Sequence, residues 1–260
     1  MFKEIIISIQ SYFQAHQFIK KHKLWLWIFL PGLVYTLLML VAYVYFSQQA
    51  TGLLKLITLK LGLGEWLQRN QSGLLGFVFT FSLMIVWIVQ MFLFISLFKF
   101  LFLIVGSPVF SYLSEKTEAI IEGRDFPFSF VQLLKDIVRG IRIAVRNTVW
   151  QTVYMFTIFI ISFFPVLGWF FPLVAVVIEC YYYGFSMLDY SMERHKKTAS
   201  QSIYFIGQHK GLAIGNGLIF YCLHIIPILG WLIAPAYAVI AATLSLSNQN
   251  LEEADVVKIT

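Results

Sequence analysis

Two stretches decide the fold: Phe164-Pro165-Val166-Leu167-Gly168-Trp169 and Ile226-Pro227-Ile228-Leu229-Gly230-Trp231. They share Pro-x-Leu-Gly-Trp at an offset of 62 residues, and a second proline follows each, Pro172 and Pro235. Each turn joins two apolar arms, 148–164 with 169–183 and 212–226 with 231–246. A helix needs about 17 residues or more to cross a bilayer core, and each arm is at or below that length. A turn emerging into water would carry polar residues. These turns are flanked instead by Phe163, Phe164, Trp169 and Phe170, and by Ile225, Ile226, Trp231 and Leu232. The expectation is two re-entrant helical hairpins, one over 148–183 and one over 212–246, with tips inside the membrane. Four short full spans are the competing arrangement.

Working outward, the run 25–46 carries no charge and is long enough to span. It is too long for a signal peptide, and Phe46-Ser47-Gln48-Gln49 is a poor cleavage site. The run 73–98 is also uncharged, and its apolar character continues past Lys99 to residue 105. Lys99 is expected to snorkel to an interface. Gly106-Ser107-Pro108 is expected to break the helix and open a new one, with Ser107 as N-cap and Pro108 at the first helical position. The expected fold is therefore all-α and membrane-integral: a single domain over 1–260 with spans 25–46 and 73–105, a cytoplasmic amphipathic region 106–147, and the two hairpins.

Composition agrees. Of 260 residues, 59% are hydrophobic and only 12% charged, too few to cover a soluble globule of this size. Cys180 and Cys222 lie in apolar runs and read as small buried hydrophobes. Everything outside the two spans except 47–72 falls on one side of the expected topology, which, leaving out Lys99, puts fifteen Lys and Arg there against three. The positive-inside rule then places both termini in the cytoplasm, and the expected location is the cytoplasmic (inner) membrane.

Within 129–146, Lys135, Arg139, Arg142 and Arg146 are spaced 4, 3 and 4 apart and share one stripe of a helix. Two readings stand: an interfacial helix touching anionic lipid head groups, or a basic vestibule that concentrates an anion. Glu115, Lys116, Glu118, Glu122, Arg124 and Asp125 are mixed in sign and read as a solvated face. Glu179 is the one acid inside a hairpin arm, placed between an intramembrane functional site and a snorkelling group. Asn216 and His224 lie in the second hairpin and read as helix-packing hydrogen bonders.

No nucleotide-binding glycine pattern, His-Glu-x-x-His, nucleophile elbow or metal cluster occurs in the sequence. The expectation is no enzyme, no cofactor and no metal. Nucleic acid is also excluded, because the aromatics lie in apolar runs rather than among exposed arginines.

These residues carry a resemblance. The chain resembles the CysZ-type sulfate permeases, which share the etoposide-induced-protein domain, over about 12–246. The pieces are Ser107-Pro108-Val109 through Leu113-Ser114-Glu115-Lys116, Leu134-Lys135-Asp136, both Pro-x-x-Gly turns, and Leu188-Asp189-Tyr190 with His195-Lys196. The resemblance implies two long membrane helices, two partly inserted hairpins, and an oligomeric channel that imports sulfate without ATP. Those permeases carry Gly-x-Arg-Arg just before the first span's proline. The matching positions here are Lys23, Leu24, Trp25 and Leu26, so the planar arginine forks are gone and Lys20, Lys21 and Lys23 offer point charges only.

The functional expectation is a CysZ-like permease or channel for a small inorganic anion, sulfate among the candidates. Its pathway would pass the hairpin tips at Pro165, Gly168, Pro227 and Gly230. There the N-termini of the second arms would turn amides and positive dipole ends toward the anion. Lys20, Lys21, Lys23 and the 135–146 stripe would gather it. The competing class is a non-transporting membrane scaffold, assembly factor or lipid-interacting protein.

Overall fold

The computed structural model describes residues 1–60, 62, 73–123, 130–164, 166–194, 197–226 and 228–247. All regular structure among them is helical: α1 (Phe2–His22), α2 (Trp25–Lys60), α3 (Leu74–Glu122), α4 (Phe130–Ile161), a 3₁₀ turn (Leu167–Phe170), α5 (Phe171–Arg194), α6 (Ala199–Gln208), α7 (Lys210–His224) and α8 (Leu229–Ser247). Four stretches among them are long and apolar enough to cross a membrane: Trp25–Gly52, Leu74–Met91, Gly168–Met192 and Leu229–Ser247.

Three expectations about helix ends are corrected. α3 runs straight through Gly106-Ser107-Pro108, with Pro108 inside the helix and Ser107 buried rather than capping. Neighbouring apolar helices leave no water to hydrate a broken backbone, so a proline is absorbed within the helix. Gly106 helps, because the Phe110 ring folds back to 2.7 Å from where a Cβ would stand. The amphipathic segment 129–146 and the first arm of the first hairpin are one helix of 32 residues. No Pro or Gly separates Arg146 from Thr148, and extending a helix costs less than nucleating another. The second arms are also longer than expected, at 24 residues for α5 and 19 for α8.

The chain forms two compact units. The first comprises Met1–Leu37, Leu101–Asn147 and Glu179–Thr260; the second comprises Leu38–Phe100 and Thr148–Ile178. In the first, α1, α7 and α8 pack against one another. Ser8 donates to the Leu212 carbonyl at 2.8 Å, Tyr12 to the Asn216 carbonyl at 2.9 Å, and His16 Nδ1 meets the Tyr237 hydroxyl at 2.8 Å. Such interhelical hydrogen bonds hold helices together where lipid removes the hydrophobic drive. A Cβ on Gly217 would strike the Cys180 carbonyl, so glycine sets how closely α7 approaches α5. Tyr183 stacks on Phe220 at 3.6 Å across the same pair. Glu4 ties α1 to the α6–α7 corner, accepting from the Gly211 amide at 3.0 Å and facing His209 Nδ1 at 3.2 Å.

The second unit is built on Ile85, Val89, Met155, Ile158 and Ala175, with Phe81, Phe159 and Trp169 packed around them. Along α2, Leu33, Leu37, Val41 and Val44 are exposed. A soluble protein would not leave such a stripe to water, whereas a lipid-facing helix must. Lys99 is buried, not extended to an interface, and Cys222 is exposed while Cys180 is buried. Glu118 is buried too, which corrects its reading as part of a solvated face. Lys116 lies 5.1 Å over the Trp27 ring. Arg124 and Asp125 fall outside the described residues.

Candidate anion pathway

The two turns that decided the fold share their backbone geometry as well as their sequence. Val166 and Ile228, equivalent in the repeat, both adopt positive φ, 70° and 63°. For a β-branched residue that conformation costs on the order of 1–3 kcal/mol and persists only where the surroundings enforce it. The enforcement is a pair of matched hydrogen bonds. The Gly168 amide donates to the Phe164 carbonyl at 2.8 Å, and the Gly230 amide to the Ile226 carbonyl at 3.0 Å. A Cβ on Gly168 would stand 2.5 Å from the Ser162 carbonyl oxygen, and one on Gly230 would strike the Leu223 carbonyl. The glycines are therefore there to let the turn close on the preceding helix. Their own amides are engaged, so they do not offer the free N–H groups expected of an anion cradle. Pro165 and Pro227 lie outside the described residues.

Both tips are apolar on their outer surface. Phe164, Val166 and Phe170 are exposed in one, and Ile225, Ile228 and Leu229 in the other. The tip tryptophans are held from within. Trp169 donates to the Ser82 hydroxyl at 3.1 Å and Trp231 to the His224 carbonyl at 2.9 Å.

In the first unit, α4, α5 and α6 meet at a buried ion pair. Arg139 donates through Nη2 to Asp189 Oδ1 at 3.0 Å and through Nη1 to the Lys197 carbonyl at 2.6 Å. The Ser202 hydroxyl donates to the same Asp189 oxygen. Asp189 is only 3% exposed, so this pair locks three helices together. Ser202 is positioned by a capping box in which Thr198 and Gln201 bond reciprocally. Tyr190 donates to the Leu103 carbonyl at 3.1 Å. The void bordered by Leu103, Gly140, Ser186, Asp189 and Tyr190 measures about 10 Å³. That is room for one water, not for an anion. His195 and Lys196 lie outside the described residues.

The stripe on α4 thus divides. Arg139 is committed to Asp189. Arg146 donates to Asn147 Oδ1 at 3.0 Å and lies 5.8 Å over the Phe185 ring. Lys135 and Arg142 are exposed. At the α1–α2 corner, Lys20, Lys21 and Lys23 are exposed as well. Lys23 caps α1 in the left-handed conformation at φ 54°, the position where the resembling permeases have glycine. Burial, and then the neighbouring Lys21 charge, lower the His22 imidazole pKa. The lysines therefore carry the positive charge of this corner.

Glu179 is buried and accepts from the Tyr221 hydroxyl at 2.6 Å, so it points inward and does not snorkel. Asn216 Nδ2 donates to the Ala238 carbonyl at 3.0 Å, the packing role expected of it. Sequence reasoning had no partner for Arg139, and it missed Ser202 and the Glu4 latch. The Thr198-x-x-Gln201 capping signature was the one available signal for that region.

Long apolar helices and a twice-built broken-helix tip define the class: a multi-pass α-helical membrane protein. The profile for Sulfate transporter CysZ/Etoposide-induced protein 2.4 matches residues 11–235, and the chain belongs to that family. Among similar curated proteins, the Sulfate transporter CysZ of Pseudomonas fluorescens is 28% identical over 143 residues, which is 54% of this chain and 57% of that protein. The protein of the same name from Pseudomonas syringae pv. tomato is 29% identical over 54% of this chain and 56% of its own length. That of Pseudomonas aeruginosa is 26% identical over 58% and 62%. The matched stretch thus spans less than two thirds of each of these relatives.

Proposed function

We propose that this chain is a permease for a small inorganic anion of the sulfate class, moving it down its gradient without ATP or cofactor. The observation that carries the proposal is the repeated tip, with positive φ at Val166 and Ile228 and matched glycine bonds at 168 and 230. Strain of this kind, built twice at equivalent positions, is what a functional site retains. The Sulfate transporter CysZ relatives support the choice of substrate.

The architecture we propose is two long spans and two re-entrant hairpins in one membrane domain over 1–260. Both termini lie in the cytoplasm, and the chain assembles as a homo-oligomer in the inner membrane. α7 has 15 residues and reaches about 22 Å, short of the roughly 30 Å core. The apolar part of α4, 148–161, reaches about the same depth. Two approaches of equal length, ending in apolar exposed tips, fit turns that stop inside the membrane. In each hairpin the second helix then starts at the tip, and its N-terminal dipole end, about half a positive charge, attracts an anion there. Because the Gly168 and Gly230 amides are engaged, the dipole rather than those donors acts on the anion. Lys20, Lys21 and Lys23 gather the anion at the α1–α2 corner.

Uptake of labelled sulfate by proteoliposomes tests the proposal. Flux above empty vesicles, reduced by Lys20→Gln/Lys21→Gln/Lys23→Gln, is expected. A correctly folded protein without flux, co-purifying with a stable partner, would instead establish the scaffold reading.

A further inference from the structure

The α4 stripe has a second face that the pathway does not use. Lys135, Val138, Arg142 and Val145 follow one another at spacings of 3, 4 and 3, so cation and valine alternate along one line of the helix. Val138 is 69% exposed and Val145 50%. Among the described residues, Lys135 and Arg142 have no carboxylate partner, whereas Arg139 and Arg146 beside them are engaged. Lys135, Val138, Arg139, Arg142 and Ala199 border an open groove of about 500 Å³. Ala199 begins α6, whose first-turn amides have no acceptor within their own helix.

We propose that this groove binds the phosphate of an anionic phospholipid, held between Lys135 and Arg142, with the lipid's apolar part lying over Val138 and Val145. The valines decide between lipid and free anion. A site for a hydrated anion gains nothing from exposed valines between its cations, while a lipid carries apolar chains directly beneath its phosphate. Arg139 borders the groove and also holds Asp189 and the Lys197 carbonyl. An occupied groove would therefore brace the junction of α4, α5 and α6. The inference does not depend on what the protein transports.

The test is thermal unfolding of the full-length protein in neutral detergent with added short-chain lipid. Dioctanoyl phosphatidylglycerol is expected to raise Tm. Dioctanoyl phosphatidylcholine and inorganic phosphate at equal concentration are expected not to. Lys135→Gln/Arg142→Gln removes two exposed charges and should fold normally. It is expected to weaken the phosphatidylglycerol response about thirtyfold in concentration, at roughly fivefold per cation. Lys210→Gln, an exposed cation elsewhere, should leave the response intact. Equal stabilisation by both lipids, an undiminished response in the double variant, or a full response to inorganic phosphate alone would each overturn the proposal.

Discussion

Replacing Arg139 by Met isolates a buried carboxylate. Asp189 is 3% exposed, and without the guanidinium the Ser202 hydroxyl is its remaining donor among the described residues. Removing one member of a buried pair costs about 3–5 kcal/mol, and the Arg139 side chain at 16% exposure argues for the lower end. At about 2–4 °C per kcal/mol for a chain of this size, Tm should fall by about 10 °C. Asp189→Asn should cost less, because Arg139 keeps the Lys197 carbonyl and the amide oxygen still accepts. Arg139→Met/Asp189→Asn should recover most of the loss, since the stranded charge is gone. Thermal unfolding of the four proteins in one detergent reads this as a double-mutant cycle. Single losses that add to the double within about 0.5 kcal/mol would refute the claim that the pair is coupled.

At the tips, Gly168→Ala and Gly230→Ala should each lower Tm by several degrees, because the new methyl meets the Ser162 or Leu223 carbonyl. Val166→Gly and Ile228→Gly relieve positive φ and should raise Tm slightly while changing flux, a combination that separates functional strain from simple turn-making. Lys23→Gly should likewise raise stability, by about 1 kcal/mol, by removing a side chain from the left-handed cap of α1.

Much of the helical architecture could be read from the chain, because long uncharged apolar runs can satisfy their backbone in a membrane only as helices. The runs from Trp25 and Gly73 and both Pro-x-x-Gly turns emerged from that alone. Helix ends did not, since punctuation learned from water loses force in lipid: Pro108 sits within α3, and α4 joins two segments read as separate. The candidate site was half legible. Lys135, Arg139, Arg142 and Arg146 announced a stripe, but not that Arg139 turns to Asp189, 50 residues away. The turn glycines pointed to the tips, yet only the folded backbone shows their amides closing on Phe164 and Ile226. Glu179 was ambiguous by position, and Tyr221, 42 residues on, resolves its direction.

The account is tested most directly by the time course of radiolabelled sulfate entering proteoliposomes that contain the full chain and no ATP. Uptake that follows the imposed gradient, falls severalfold on Lys20→Gln/Lys21→Gln/Lys23→Gln, and changes with Val166→Gly or Ile228→Gly is the result predicted. Uptake no greater than in empty vesicles, from protein that still unfolds cooperatively on heating, would contradict it.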